Sequence, residues 1–345
     1  MKAWVLHGKE DVRLEDHPKP EAKPGEVLIK TRRVGVCGTD VHYFMDGRSG
    51  ASIPKRPFIF GHEVTGEIAE VGDGVKHLQV GMRVAIDPSQ PCWTCRLCRS
   101  GRYNLCQATS FLGSAKFDPP THGTNREYFT IPAANCFPLP DQLDDGQAAM
   151  LEPLSVATHG VMRAGNVAGK SVLVTGGGPI GQMVALVTRA FGADIVAVSD
   201  VIGYPRQFAK QMGADCALDP RSETFQDEVQ QIVPQGFDVV IEASGVPAAT
   251  RQAIDVVGHG GTLVQVGTLP PAVELPFNMI MEKELQVRGS FRFAHVFSLA
   301  LKQMAAGRLD LKPMISKVFP FAELPDALRA GHQKGDIMKI QIEFS

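Results

Sequence analysis

The chain has 345 residues, 44% hydrophobic and 21% charged, with a net charge of -2 and a pI near 6.6. That length exceeds what one hydrophobic core serves and fits two domains, while the near-neutral balance excludes a strong electrostatic footprint for nucleic acid or membrane and suits small-molecule partners. No stretch reaches the roughly 18 apolar residues of a bilayer span and Met1 to Pro20 lacks a signal-type apolar run, so the cytoplasm is the expected compartment, where seven cysteines stay reduced.

In chain order, the first 150 residues are rich in Gly and Pro and carry short β-type runs such as 26–32 (EVLIKTR) and 64–71 (VTGEIAEV), cut by turn signals. They predict a mostly β lobe. Between Pro91 and Cys106 stand Cys92, Cys95, Cys98 and Cys106, a CxxCxxCx₇C pattern. Four thiolates in one loop suit a closed tetrahedral zinc site that staples the chain without performing chemistry. An iron–sulfur cluster uses a similar opening, and a dithiol pair needs only two of the four. Arg96, Arg99 and Arg102 admit a zinc-knuckle nucleic-acid module, against which stand the scarcity of stacking aromatics beyond Trp93 and Tyr103 and the overall charge.

From Lys170 the texture changes. "SVLVTGGGPIGQMVALVTRAFGADIVAVSD" reads as a short apolar strand, a glycine turn, an amphipathic helix, a second strand and an acid. Further apolar runs at 237–242 and 261–267 complete the pattern of a doubly wound α/β sheet. The GxGxxG of Gly176, Gly178 and Gly181, with Pro179 and Ile180 opening the helix, is a dinucleotide fingerprint in its proper context. Asp200 ends the second strand near the offset at which an acid grips the adenosine ribose, which favours NAD over NADP. Arg206 stands close enough to turn toward a phosphate. After Leu285 the chain gives a helix-like run from Val296 and a β-rich tail, MKIQIEFS.

A sparser set remains: Cys37 in GVCGTDVHY, His62 and Glu63 in GHEVTGEIAEVGDGV, and Glu152 in LEPLSVATHG. Taken singly, each is explained as a small core residue, a satisfied core histidine or a first-turn acid; together, thiolate, imidazole and carboxylate suit a zinc with an open position. GHEVTGEIAEVGDGV matches the GHExxGxxxxxGxxV signature of the zinc-containing medium-chain alcohol and polyol dehydrogenases, which the chain resembles over essentially its whole length. GVCGTDVHYF, GRYNLC, EPLSVATHG, GGGPIG and GSFRF resemble the sorbitol and L-idonate dehydrogenase branch, and DPSQPCWTCRLC, FLGSAKFDPP and VQVG lean toward its L-idonate 5-dehydrogenases.

The resemblance implies a GroES-like catalytic domain over 1–150 and 286–345, with a structural zinc lobe at 88–108, around a Rossmann NAD-binding domain at 151–285. It implies two zinc ions per chain, the catalytic one held by Cys37 and His62 with Glu63 and Glu152 as ligand or water partner. Thr39 and His42 would relay a proton to solvent, Tyr43, Glu152 and Arg292 would touch substrate, and Val266, Gly267, Ser290 and Arg292 would join the glycine turn, Asp200 and Arg206 around the cofactor. The activity implied is oxidation of a secondary alcohol of a sugar acid or polyol, L-idonate first, then sorbitol, xylitol or galactitol, with threonine or simple alcohols further off. Phe293 replaces the tyrosine common in sorbitol dehydrogenases, and a homotetramer, or a dimer, is the expected assembly. A non-catalytic zinc and nucleotide sensor is the rival from another class.

Overall fold

The computed structural model describes residues 1–333 and 335–345. The chain divides into two compact units, Met1–Glu152 with Phe297–Ser345, and Pro153–Val296. The first unit is thus discontinuous, its return falling at Phe297 rather than at 286. The physical reason is local: Gln286–Gly289 pairs in parallel with the 257–265 strand and closes the second unit's sheet as an edge. Among the described residues no helix is long and apolar enough to cross a membrane.

The first unit is mostly β. A seven-stranded sheet runs Cys136–Pro138, Arg83–Ile86, Glu63–Val71, Glu26–Gly35, Lys339–Glu343 and Ile315–Pro320, with Tyr128–Pro132 also pairing to Glu26–Gly35. A three-stranded sheet of Asp11–Asp16, Lys2–Gly8 and Phe58–Ile59 stands beside it in the order of the unit's sheets. Val27, Ile29, Ile68, Phe129 and Ile342 are buried in one core with Phe58 and Phe60, and Leu28 between the first two is buried as well, so this strand is covered on both faces. The last strand is antiparallel to Glu26–Gly35, with Gln341 opposite Gly35, and Gly35 in turn pairs with Glu63. That register carries the end of the chain to the residues around Glu63.

The second unit is a six-stranded parallel sheet in the order Cys216–Leu218, Ile195–Ser199, Ser171–Thr175, Phe237–Glu242, Val257–Gln265, Gln286–Gly289. Val172, Leu173 and Val174 are buried on both faces, as are Val239, Val240 and Ile241, which is what helices packed on either side of a parallel sheet require. The order reverses between Ser171–Thr175 and Phe237–Glu242, making the C-terminal ends of those two strands the switch point where open α/β sheets bind ligands.

Candidate metal centre and dinucleotide turn

The first ligand sits at a helix start. Cys37 has extended backbone (φ -85, ψ 150) before the helix Gly38–Asp46, and the Asp40 carboxylate, one turn in, accepts the Cys37 N–H at 3.2 Å. His62 and Glu63 follow Gly61, whose φ of +93 and close approach to Asn125 leave no room for a side chain. This turn delivers His62 just before the strand Glu63–Val71. The ligand atoms of Cys37, His62 and Glu63 all lie within 4.8 Å of one another. Glu152, at the start of the helix Leu151–Ala164, falls outside that three-residue group. It is nevertheless buried and feels the charges of His62, Glu63 and Cys37.

The electrostatics are those of a desolvated pocket. Burial first, then the nearby Glu63 and Asp40 carboxylates, push the Cys37 thiol up to about 12, partly offset by Lys339 and the Thr39 N–H. Burial likewise raises the Glu152 carboxyl to about 8, opposed by His62. Lys339, buried in the last strand, donates to Glu63 Oε1 at 2.6 Å and to the Val36 carbonyl at 3.1 Å. Among the described residues, buried Asp40 Oδ1 and His62 Nδ1 have no hydrogen-bond partner, while Glu63 Oε2 meets the Lys339 ammonium at 2.5 Å. The first two face each other at 3.9 Å. Orphaned polar atoms around a soft thiol, an imidazole and a carboxylate fit a divalent zinc ion, which would relieve their desolvation.

The other predicted residues spread around this centre. His42 is exposed and pairs with Asp46 at 2.8 Å on the same helix. Tyr43 is buried edge-on against Phe58, and its hydroxyl accepts the Ala115 N–H at 3.2 Å. Cys136 is buried apart from both clusters. Asp40 and Lys339 escaped the sequence reading. GVCGTDVHY contains the first, but its inward aim follows from helix geometry; a lysine in a β-rich tail gives no signal, since lysines are almost never buried unless paired.

The four-cysteine loop forms the second cluster. Cys92 Sγ lies 3.5 Å from Cys106 Sγ and 3.9 Å from Cys98 Sγ, with Cys95 Sγ 3.5 Å from Cys98 Sγ. Zinc–sulfur bonds of about 2.3 Å in a tetrahedron separate sulfurs by about 3.8 Å, so the cage has zinc's size. Backbone N–H groups of Cys95, Cys98 and Cys92 point at the sulfurs of Cys92, Cys95 and Cys106. The Thr94 hydroxyl and N–H, followed by the Cys95 N–H, bring the Cys92 thiol down to about 6, favouring the thiolate that binds metal.

In the second unit, Gly176 has φ +92, and a Cβ there would stand 2.7 Å from Ser244 N. A Cβ on Gly181 would meet the Gly176 carbonyl at 1.7 Å, whereas nothing lies within 4 Å of one on Gly178. The turn is therefore closed on its inner side and open at Gly178, which caps the helix Pro179–Ala190 without a side chain. An open backbone cradle at a helix N-terminus fits a pyrophosphate. Asp200 is fixed beside it: Oδ2 accepts the Gly177 N–H at 2.7 Å and Oδ1 the Ile202 N–H at 2.8 Å. Arg206 is occupied by the Asp200 carbonyl at 2.6 Å and the Asp219 carboxylate at 3.0 Å. Ser290 Oγ and Thr175 Oγ1 are buried with no hydrogen-bond partner among the described residues. Arg292 has a left-handed φ of +51 and its guanidinium lies over the Phe291 ring.

Residues 23–141 match the alcohol dehydrogenase GroES-like domain and residues 179–306 the zinc-binding dehydrogenase domain. Sorbitol dehydrogenase of Gallus gallus is 36% identical over 344 residues, covering 99% of this chain and 96% of that protein. The chain belongs to the zinc-binding medium-chain dehydrogenases. Within this family, the crystal structure of L-idonate 5-dehydrogenase from Escherichia coli superposes with a TM-score of 0.95 at 33% identity, covering 99% of this chain and 98% of that one. A zinc-binding dehydrogenase from Sinorhizobium meliloti, solved bound to NADP, gives 0.90 at 31% identity, covering 99% and 98%. A GroES-like unit with a Rossmann-type unit is thus the family's architecture, and the dehydrogenase class and the zinc chemistry expected from the sequence agree with it.

Proposed function

We propose that the chain oxidises a secondary hydroxyl of a sugar acid or polyol with NAD, L-idonate to 5-keto-gluconate first and sorbitol, xylitol or galactitol second. The observation that carries this reading is the buried group of Cys37, His62 and Glu63 with Glu152 beside it. One thiolate, one imidazole and carboxylates form a harder, more exchangeable set than two thiolates. Zinc held there would supply the Lewis acidity that lowers the pKa of a bound hydroxyl and eases loss of its proton, and NAD would supply the hydride acceptor.

The chain's own residues do the rest. Asp40 and Lys339 hold Cys37 and Glu63 in place. The proton leaves along Thr39 to His42, whose exposure to solvent suits the outer end of a relay. Glu152 shares the buried centre as substrate or metal partner. Asp200, held by two backbone N–H groups, presents a carboxylate to the adenosine ribose, and Arg206 is already engaged by Asp219. A 2′-phosphate would meet negative charge, which supports NAD despite the NADP in the Sinorhizobium relative.

Arg292 is the candidate for an aldonate carboxylate, because a guanidinium binds it as a fork. A panel of aldonates and polyols assayed with NAD and NADP tests the reading, with the highest kcat/KM expected for L-idonate and NAD. Sorbitol ahead of L-idonate selects the second reading. No turnover of any member by zinc-replete protein removes both. Arg292→Lys should hurt L-idonate far more than sorbitol, and equal losses would remove that role.

A further inference from the structure

Phe237–Glu242 is an apolar strand that ends in a carboxylate with no exposed surface. Among the described residues Glu242 has no ion pair, yet its oxygens are crowded with donors. Oε1 accepts the Ser244 N–H at 2.7 Å, the Gly245 N–H at 3.0 Å and the Ser244 hydroxyl, and Oε2 accepts the Gln265 side-chain amide. The second hydrogen of that amide serves the Gly267 carbonyl at 2.8 Å. The Glu242 carbonyl also accepts the N–H groups of Val266 and Gly267 at 2.8 and 2.9 Å.

Around this carboxylate three backbone segments touch without room for side chains. A Cβ on Gly267 would lie 2.3 Å from Gly245 N and 2.6 Å from Glu242 Oε2; one on Gly245 would lie 2.6 Å from the Thr268 carbonyl. The Gly176 turn closes on Ser244 in the same way. Glycines clustered so tightly mark a backbone that must approach something closely. Glu242 stands at the switch point, across it from the strand Ile195–Ser199 that Asp200 follows. A doubly wound sheet binds one mononucleotide half on either side of that point.

We infer that Glu242 is a positioning residue for the nicotinamide half of the dinucleotide, as Asp200 serves the adenosine half. It acts through Gln265, Ser244 and Gly245, which fix the 244–245 and 266–268 backbone. This rests on the proposed use of NAD.

The test is binding to full-length, zinc-replete protein. In Glu242→Gln the new amide faces the Gln265 amide, donor against donor, so Gln265 must turn and release the Gly267 carbonyl. Gln265→Leu breaks the same latch without touching the carboxylate. Both should weaken NADH binding by about tenfold, the loss expected of a hydrogen bond or two, while AMP affinity stays within about twofold. NADH affinity within twofold of the parent in both variants would overturn the inference, as would an equal loss of AMP. If Glu242→Gln fails to fold and Gln265→Leu binds NADH normally, the role is also refuted. A parent protein that binds AMP but no NADH would remove the proposed function together with it.

Discussion

Lys339 Nζ donates to Glu63 Oε1 at 2.6 Å across 276 positions of sequence, with both side chains almost wholly buried. The strand between theirs ends at Gly35, opposite both Gln341 and Glu63, and has no side chain there; a Cβ would stand 2.0 Å from Glu63 Oε2. Removing the ammonium leaves a buried carboxylate next to Cys37. Lys339→Met should cost about 3–5 kcal/mol, and the cost should shrink when zinc is present, since a cation nearby takes over the compensation. Urea denaturation with and without chelator checks this; equal losses in both states would mean that Glu63 does not feel the metal.

Zinc uptake at the Cys37 centre should release protons and strengthen with pH. With the thiol pushed up to about 12 and the Glu152 carboxyl to about 8, both hold protons at pH 7 in metal-free protein, and the thiol must give its proton up to bind. Protons therefore compete with zinc, and apparent affinity rises as pH rises from 6 toward 8. Calorimetry in buffers of different ionisation enthalpy reads the released proton directly; no release would mean that Cys37 is not a ligand.

Cys106→Ser should lower the metal content from two zinc ions per chain to one, leaving the Cys37 centre loaded. Cys106 receives the Cys92 N–H and contacts Cys92 Sγ, so its loss opens the cage. Limited proteolysis should then cut within 91–106, whereas an uncut loop holding two zinc ions would contradict the closed-site reading.

Asp200→Ala should weaken NAD and AMP alike by about tenfold and raise the NADP:NAD ratio of kcat/KM. The carboxylate also anchors the Gly177 and Ile202 N–H groups, so Asp200→Asn, which keeps the shape and the acceptor oxygen, separates the charge from the anchoring. An unchanged NADP:NAD ratio in both variants would end the argument for NAD.

The features legible in the sequence are those whose chemistry is contiguous. Four cysteines in one loop and three glycines after an apolar strand bring their partners with them, so spacing alone points to a metal cage and a phosphate turn. Cys37, His62 and Glu152 became readable only through their resemblance to a family. What stayed hidden depends on register between distant strands: Lys339 is buried because Gln341 pairs with Gly35, and Glu242 loses all exposure because the 244–245 and 266–268 backbones close over it. The boundary at 286 implied by the resemblance misses the short strand Gln286–Gly289, whose mixed, mostly exposed residues are those of a sheet edge and give no apolar run to read.

The final strand also sets an order of events during synthesis. Ribosomes deliver Cys37, His62 and Glu63 first, then the whole 153–296 unit, and only afterwards the lysine that neutralises Glu63. Until that strand docks, the Glu63 carboxylate lacks its buried partner. A chain truncated before Lys339 would keep Cys37, His62 and Glu63 yet lack the counter-charge, so its metal-free fold would suffer most and bound zinc would have to supply the missing positive charge.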